Sequence, residues 1–160
     1  MDDSNAENII DVSTGEVKVS AAPAVLRALA IGSCVAVVAY DKINKIGGLA
    51  HVMVPGKSLK KEEAERLKYA EDAIDFLLVN MQRLGSDRTH IEINLIGAAN
   101  MLDEGSIPEQ VLESVLVYLE TLGIVPKNQK IGGHTFRAVY FDIGSGEISY
   151  SKGSNRTQIL

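Results

Sequence analysis

Hydrophobic positions along the chain follow two periods. A period of two, the mark of a strand with one buried face, runs through Val17 and Val19. It returns at Ile91, Ile93 and Leu95, with Glu92 and Asn94 between them. Val25 to Ile31 and the β-branched run Val35 to Tyr40 read as further strands. Asp41-Lys42-Ile43-Asn44 forms a polar turn, and Lys45 to Val54 a returning strand. Phe136 to Ile143 and Glu147 to Ser151 flank Gly144-Ser145-Gly146 as a hairpin. The second period, three to four residues, places Ala64, Leu67, Ala70, Ile74, Leu77, Leu78, Met81 and Leu84 on one face of a helix from Glu62 to Leu84, ended by Gly85. A second helix opens at Ser106-Ile107-Pro108-Glu109, a capping box with proline in the first turn. It carries Val111, Leu112, Val115, Leu116, Leu119 and Leu122 inward and closes at Gly123. Short connections make most strand pairs antiparallel, and two main helices are free to cover sheet faces, so the pattern predicts an α/β sandwich. Residues 1–14 are polar and read as a flexible N-terminal arm, with residues 15–160 as a single domain. There is no internal repeat and no βαβ glycine fingerprint, which argues against a nucleotide-binding fold.

Composition narrows the function classes. A chain of 160 residues, 46% apolar, builds one core without disulfides or metal. A net charge of −5, with no basic cluster beyond Lys57-Ser58-Leu59-Lys60-Lys61, argues against nucleic acid as a partner; that run reads as a solvated loop. One cysteine makes no internal disulfide and suits a reducing compartment. The opening Met1-Asp2-Asp3-Ser4-Asn5 lacks an apolar h-region, so no signal peptide is expected. Val25 to Tyr40 contains Arg27 and is too short to span a bilayer. A cytoplasmic protein without membrane insertion is expected. Three scattered histidines and one cysteine give no metal-ligand spacing, and neither a metal nor another cofactor is expected.

The chemistry concentrates at that cysteine. Cys34 sits in the turn Ile31-Gly32-Ser33-Cys34, and His51 follows seventeen positions later, after Gly47-Gly48. A thiol beside an imidazole is the minimum equipment for nucleophilic acyl chemistry. With the turn centred between Lys42 and Ile43, Cys34 falls directly opposite His51, within reach of a cross-strand hydrogen bond. Gly32 and Gly47-Gly48 leave room for backbone to approach a ligand. The plain alternative is a buried core cysteine and a hydrogen-bonded structural histidine. Other candidates are thinner. His90 and His134 are isolated, Glu62-Glu63 and Glu71-Asp72 fill a helix's polar face, and Ser33 makes turn hydrogen bonds. Arg137 reads as a structural salt bridge or a site cation.

The blocks Leu29 to Val37, Gly47 to Pro55, Lys68 to Ile74, Gly97 to Met101 and Ile131-Gly132-Gly133 with Arg137 resemble the chemoreceptor glutamine deamidases of bacterial and archaeal chemotaxis, the CheD family. The likeness spans roughly residues 16 to 151. It implies a layered α/β sandwich of the kind shared with cytotoxic necrotizing factor toxins. It also implies hydrolysis of glutamine carboxamides on methyl-accepting chemoreceptors, with Cys34 as nucleophile and His51 as base. Gly32 and Ser33 would lie at the oxyanion or substrate site, and a CheC-type phosphatase would be a partner. The family's threonine six positions before the cysteine is Ala28 here; the Val25 to Ile31 strand is expected to run beside the His51 strand, which leaves the Ala28 main-chain oxygen, or a nearby one, to orient the imidazole. The alternative within the same fold is a catalytically impaired module that docks on receptors or the phosphatase.

Overall fold

The computed structural model describes residues 8–101, 105–153 and 157–160. Ten strands form two five-stranded sheets. One has the order β1 (Ile9–Asp11), β3 (Val25–Ile31), β8 (Arg137–Asp142), β9 (Ile148–Lys152), β10 (Gln158–Ile159). The other has the order β2 (Val17–Ala21), β5 (Ile46–Val52), β4 (Val35–Asp41), β6 (Ile91–Gly97), β7 (Asn128–Ile131). Pairing is antiparallel except for β1 with β3 and β6 with β7. Two main helices, α2 (Ala70–Arg83) and α3 (Ile107–Thr121), cover the second sheet. The protein is thus a layered α/β sandwich, as the hydrophobic periods predict.

Strand alternation builds the layers. Along β4, Val35, Val37 and Ala39 face the helices and meet Ile74, Leu77, Leu95 and Val115. Ala36, Val38 and Tyr40 face the other sheet and meet Leu26, Ile31, Val139 and Phe141. Every residue of β4 and β5 is buried, because both faces are covered. Phe141 is fully buried between the sheets. Its ring meets Tyr40 edge to face at 5.2 Å, and a Cβ on Gly47 would lie 2.5 Å from it. Only a glycine at Gly47 leaves space for that ring.

Three elements differ from the sequence pattern. The helix expected from Glu62 to Leu84 is broken: α1 spans only Glu63–Arg66, and Tyr69 is extended. The cause is a competing partner. Lys68 O accepts from Met53 N and Val54 N, and Val54 O accepts from Ala70 N, forming an isolated bridge where the helix would run on. Ser106 does not cap α3; its Oγ accepts from the Gln110 side chain instead. Of the arm expected over residues 1–14, residues 1–7 lie outside the described ones, whereas Ile9–Asp11 are β1 and pair with β3.

Candidate active site

His51 and Cys34 lie at one end of the β4–β5 pair, but the register differs from expectation. Ala36, not Cys34, stands opposite His51, and Asp41 pairs with Ile46. The turn between them is four residues long, with Lys45 in the left-handed region at φ 53°. The Asp41 carboxylate builds it. Its Oδ1 accepts from Ile43 N and Asn44 N, and its Oδ2 accepts from Asn44 Nδ2 at 2.8 Å, Ser86 Oγ at 2.9 Å and Asp87 N. The register is therefore offset by two from the expected one. A slip of one residue swaps faces, whereas a slip of two preserves them. Cys34 lies in the bend one residue before β4, just beyond the last β4–β5 pair, Val35 with Val52, and two residues from Ala36, which stands opposite His51.

His51 is 2% exposed. Its Nδ1 lies 3.3 Å from Val12 O, and a carbonyl only accepts, so Nδ1 carries the proton and Nε2 the lone pair. Nε2 is buried and makes no hydrogen bond, to the Cys34 thiol or to any other described residue. Burial lowers the His51 pKa below 6.5, outweighing the opposing pull of the Val12 carbonyl and the Glu16 charge. The imidazole is neutral at neutral pH.

The carbonyl that orients His51 arrives on the N-terminal strand. Val12 N donates to Arg27 O at 2.8 Å, and the Arg27 guanidinium grips Asp11 with Nε at 2.7 Å and Nη2 at 3.1 Å. The next turn fastens to the histidine backbone: Gly15 N donates to His51 O, and His51 N to Glu16 O, each at 2.9 Å. Ala28 lies elsewhere. It is a fully buried residue of β3, opposite Val139 in the first sheet, so β3 does not run beside the His51 strand as the sequence suggested. β2 and β4 flank that strand instead.

Cys34 is half-buried in the bend joining β3 to β4, and burial pushes its thiol pKa above 9.0. The bend is held from β6. Ala98 N donates to Cys34 O at 2.8 Å and Ala99 N to Gly32 O at 3.0 Å. Gly97 has φ 129°, and a Cβ there would lie 2.3 Å from Cys34 O, so only glycine fits. Ser33 is exposed beside the thiol. A cavity of about 320 Å³ opens over His51, walled by Val12, Thr14, Arg27, Leu29 and Ala30. Leu29 and Ala30 reach it because the β3–β8 register shifts between Ala28 and Ile31.

The remaining candidates scatter. His90 ends a 3₁₀ turn and is exposed, and His134 Nδ1 lies 3.0 Å from Asn100 O. Asp72 does not fill a polar face: it is 7% exposed and accepts from Ser58 N at 2.8 Å and Arg66 Nε at 3.3 Å. Leu59, amid the lysines of the basic loop, is exposed as a solvated loop requires. Arg137 forms no salt bridge among the described residues, against one of its two readings; it donates to Gly97 O at 3.3 Å. No group of three metal-ligating side chains occurs among the described residues, and none of their helices is long and apolar enough to cross a membrane. The residues that sequence reasoning missed, Val12 and Thr14, act from a segment with no pattern beyond the Thr14-Gly15 turn. A main-chain acceptor leaves no mark in side-chain identity.

The fold is thus a three-layer α/β sandwich whose thiol and imidazole share one end. The chain belongs to the CheD family: the family described as CheD chemotactic sensory transduction matches residues 53–152. That match begins just after His51. Full-length relatives extend the likeness over both candidate residues. "Chemoreceptor glutamine deamidase CheD" of Halalkalibacterium halodurans is 32% identical over 149 residues, 89% of this chain and 92% of the relative. "Probable chemoreceptor glutamine deamidase CheD" of Archaeoglobus fulgidus is 36% identical over 151 residues, 89% and 93%. The protein of the same name from Desulfitobacterium hafniense strain DSM 10664 / DCB-2 is 31% identical over 147 residues, 88% and 91%.

Proposed function

We propose that the protein hydrolyses glutamine side-chain carboxamides on chemoreceptor cytoplasmic helices, with Cys34 as nucleophile and His51 as general base. The observation that carries this reading is the buried, unbonded Nε2 of His51, whose other nitrogen is committed to Val12 O. A neutral imidazole with a free lone pair takes the proton from Cys34 as sulfur attacks the carboxamide carbon. The N–H groups of Ser33 and Cys34, after Gly32, cradle the oxyanion. Collapse of the tetrahedral adduct breaks the C–N bond, and the imidazolium protonates the departing ammonia. His51 then deprotonates a water that attacks the thioester, releasing glutamate and returning the proton to sulfur. Glutamine and water become glutamate and ammonia. Nε2 holds no hydrogen bond to the thiol, so the thiol turns toward Nε2 when substrate enters. The Val12 carbonyl takes the orienting role that the sequence assigned to Ala28, and the reaction needs no cofactor. Its substrates place the protein in the cytoplasm, and a CheC-type phosphatase is the expected partner.

Incubation with a receptor cytoplasmic fragment, followed by mass spectrometry, tests this. Glutamine-to-glutamate conversion is expected, and none with Cys34→Ala. Conversion that survives the substitution rules out the thiol mechanism.

A second reading has its own support. Burial raises the Cys34 pKa rather than lowering it, as in an unreactive thiol. A docking module on the same fold follows from that, and it predicts receptor or phosphatase binding without conversion.

A further inference from the structure

Among the described residues, Arg137 is the one buried charged side chain whose place neither the fold nor the reaction explains. It opens β8, opposite Ile31 of β3 and Lys152 of β9, and is 4% exposed. Burial lowers its pKa, and its Nε is buried with no partner among the described residues. A guanidinium in the interior without a carboxylate is costly, and such a group persists where the surrounding structure uses it.

Its one side-chain hydrogen bond among the described residues leads to the nucleophile. Arg137 Nη1 donates to Gly97 O at 3.3 Å, and Gly132 N donates to the same oxygen at 2.9 Å, so both lone pairs are engaged. Gly97 C=O and Ala98 N–H belong to one planar peptide unit. The N–H end of that plane donates to Cys34 O at 2.8 Å. Fixing one end of the plane fixes the other. Neither flanking residue settles the plane by itself, because Gly97 at φ 129° and Ala98 at φ 56° both lie outside the usual regions. A cationic donor on the carbonyl also polarises the amide and strengthens its N–H toward Cys34.

We propose that Arg137 is a positioning residue for the nucleophile, acting through the Gly97–Ala98 peptide on the backbone of Cys34. The proposal rests on the deamidase reading for its catalytic consequence, though not for its structural one. Arg137→Met, neutral and of similar length, is expected to fold as the parent does by circular dichroism. Its kcat should fall about ten- to a hundredfold with KM within about twofold, the scale of a misplaced reacting group. The Ala98 amide should exchange with solvent faster, and the pH profile of Cys34 alkylation should shift. Arg137→Lys, which keeps a cationic donor, should recover part of each change. A folded Arg137→Met with parent exchange and alkylation overturns the proposal, and so does an Arg137→Lys no better than Arg137→Met. If Arg137→Met does not fold, Arg137→Gln, too short to reach Gly97 O, replaces it under the same criteria. Should the parent itself not deamidate, the deamidase reading fails, while amide exchange and alkylation still decide the role of Arg137.

Discussion

Two neutral partners set the chemistry of the site. Burial raises Cys34 above 9.0 and lowers His51 below 6.5, so at neutral pH the two are a thiol and an imidazole, not an ion pair. On the deamidase reading, kcat/KM should fall on the acid side only below pH 6.5, as His51 gains a proton and loses its lone pair. It should hold across neutral pH to about 9. A plateau edge at or above pH 7 would contradict the neutral imidazole. The same shift acts on stability. The unfolded chain binds the His51 proton more readily, so stability is full above pH 6.5 and is lost as pH falls toward the folded-state pKa. Asp41 behaves as a lowered carboxylate. Burial opposes its charge, but donors from Asn44, Ser86 and Asp87 prevail and bring it to about 2, against 3.8 ordinarily. That shift corresponds to about 2 kcal/mol of stability, present above pH 3.8 and lost as pH falls to about 2. Asp41→Asn turns an amide donor toward several donors and should cost about 2–3 kcal/mol in urea melts. A loss below about 0.5 kcal/mol would mean that water can replace the carboxylate.

At the scale of elements, the strands and helices were legible where one face is buried. Ile91 to Leu95 and the hairpin across Gly144-Ser145-Gly146 form as the alternation requires, while Val35 to Tyr40, buried on both faces, forms as its β-branched run requires. The β4–β5 register was not legible, because the four-residue turn places Lys45, not a glycine, at positive φ, and its anchor Ser86 lies far along the chain. Nor was the break at Tyr69, since the apolar spacing continues unbroken while the backbone bonds to Val54 instead. β7 is polar and exposed, and nothing in its pattern announces a strand. Of the candidate site, the side chains could be read and the supporting backbone could not. β1 shows why that matters, because three residues deliver the carbonyl that orients His51. Asp11→Ala should release the Arg27 grip and loosen Val12. An exposed ion pair contributes little, so global stability should barely change while, on the deamidase reading, kcat falls several-fold. The reversed pair Asp11→Arg with Arg27→Asp should restore most of it. Equal activity in parent and Asp11→Ala would show that β1 is held without the pair.

Across the whole molecule, the inter-sheet core decides whether the site exists. His51 belongs to the second sheet and Cys34 to the bend that enters it, whereas Val12 follows β1, and Leu29 and Ala30 lie in β3, of the first. Phe141 lies between them. Phe141→Ala should cost about 3–5 kcal/mol, measured as a lower denaturant midpoint. On the deamidase reading the resulting variant should lose deamidation before it loses secondary structure, because the Val12 contact to His51 and the Arg137 contact to Gly97 both depend on how the sheets pack. Helices α2 and α3 lie on the far side of the second sheet, so truncations of their exposed faces should leave the pH profile unchanged.

The pairing of β3 with β8 joins Leu26 to Phe141 across most of the chain. A contact so distant in sequence forms late, after the loop-closure entropy between its ends has been overcome. β1 holds to the sheet through β3 alone. Cys34 and His51 are close in sequence, whereas the strand β8 that pairs β3 into its sheet lies about a hundred residues further on. On the deamidase reading, a molecule in which β3 has not yet paired with β8 carries the thiol and the imidazole without the completed sheet that holds Val12 beside His51.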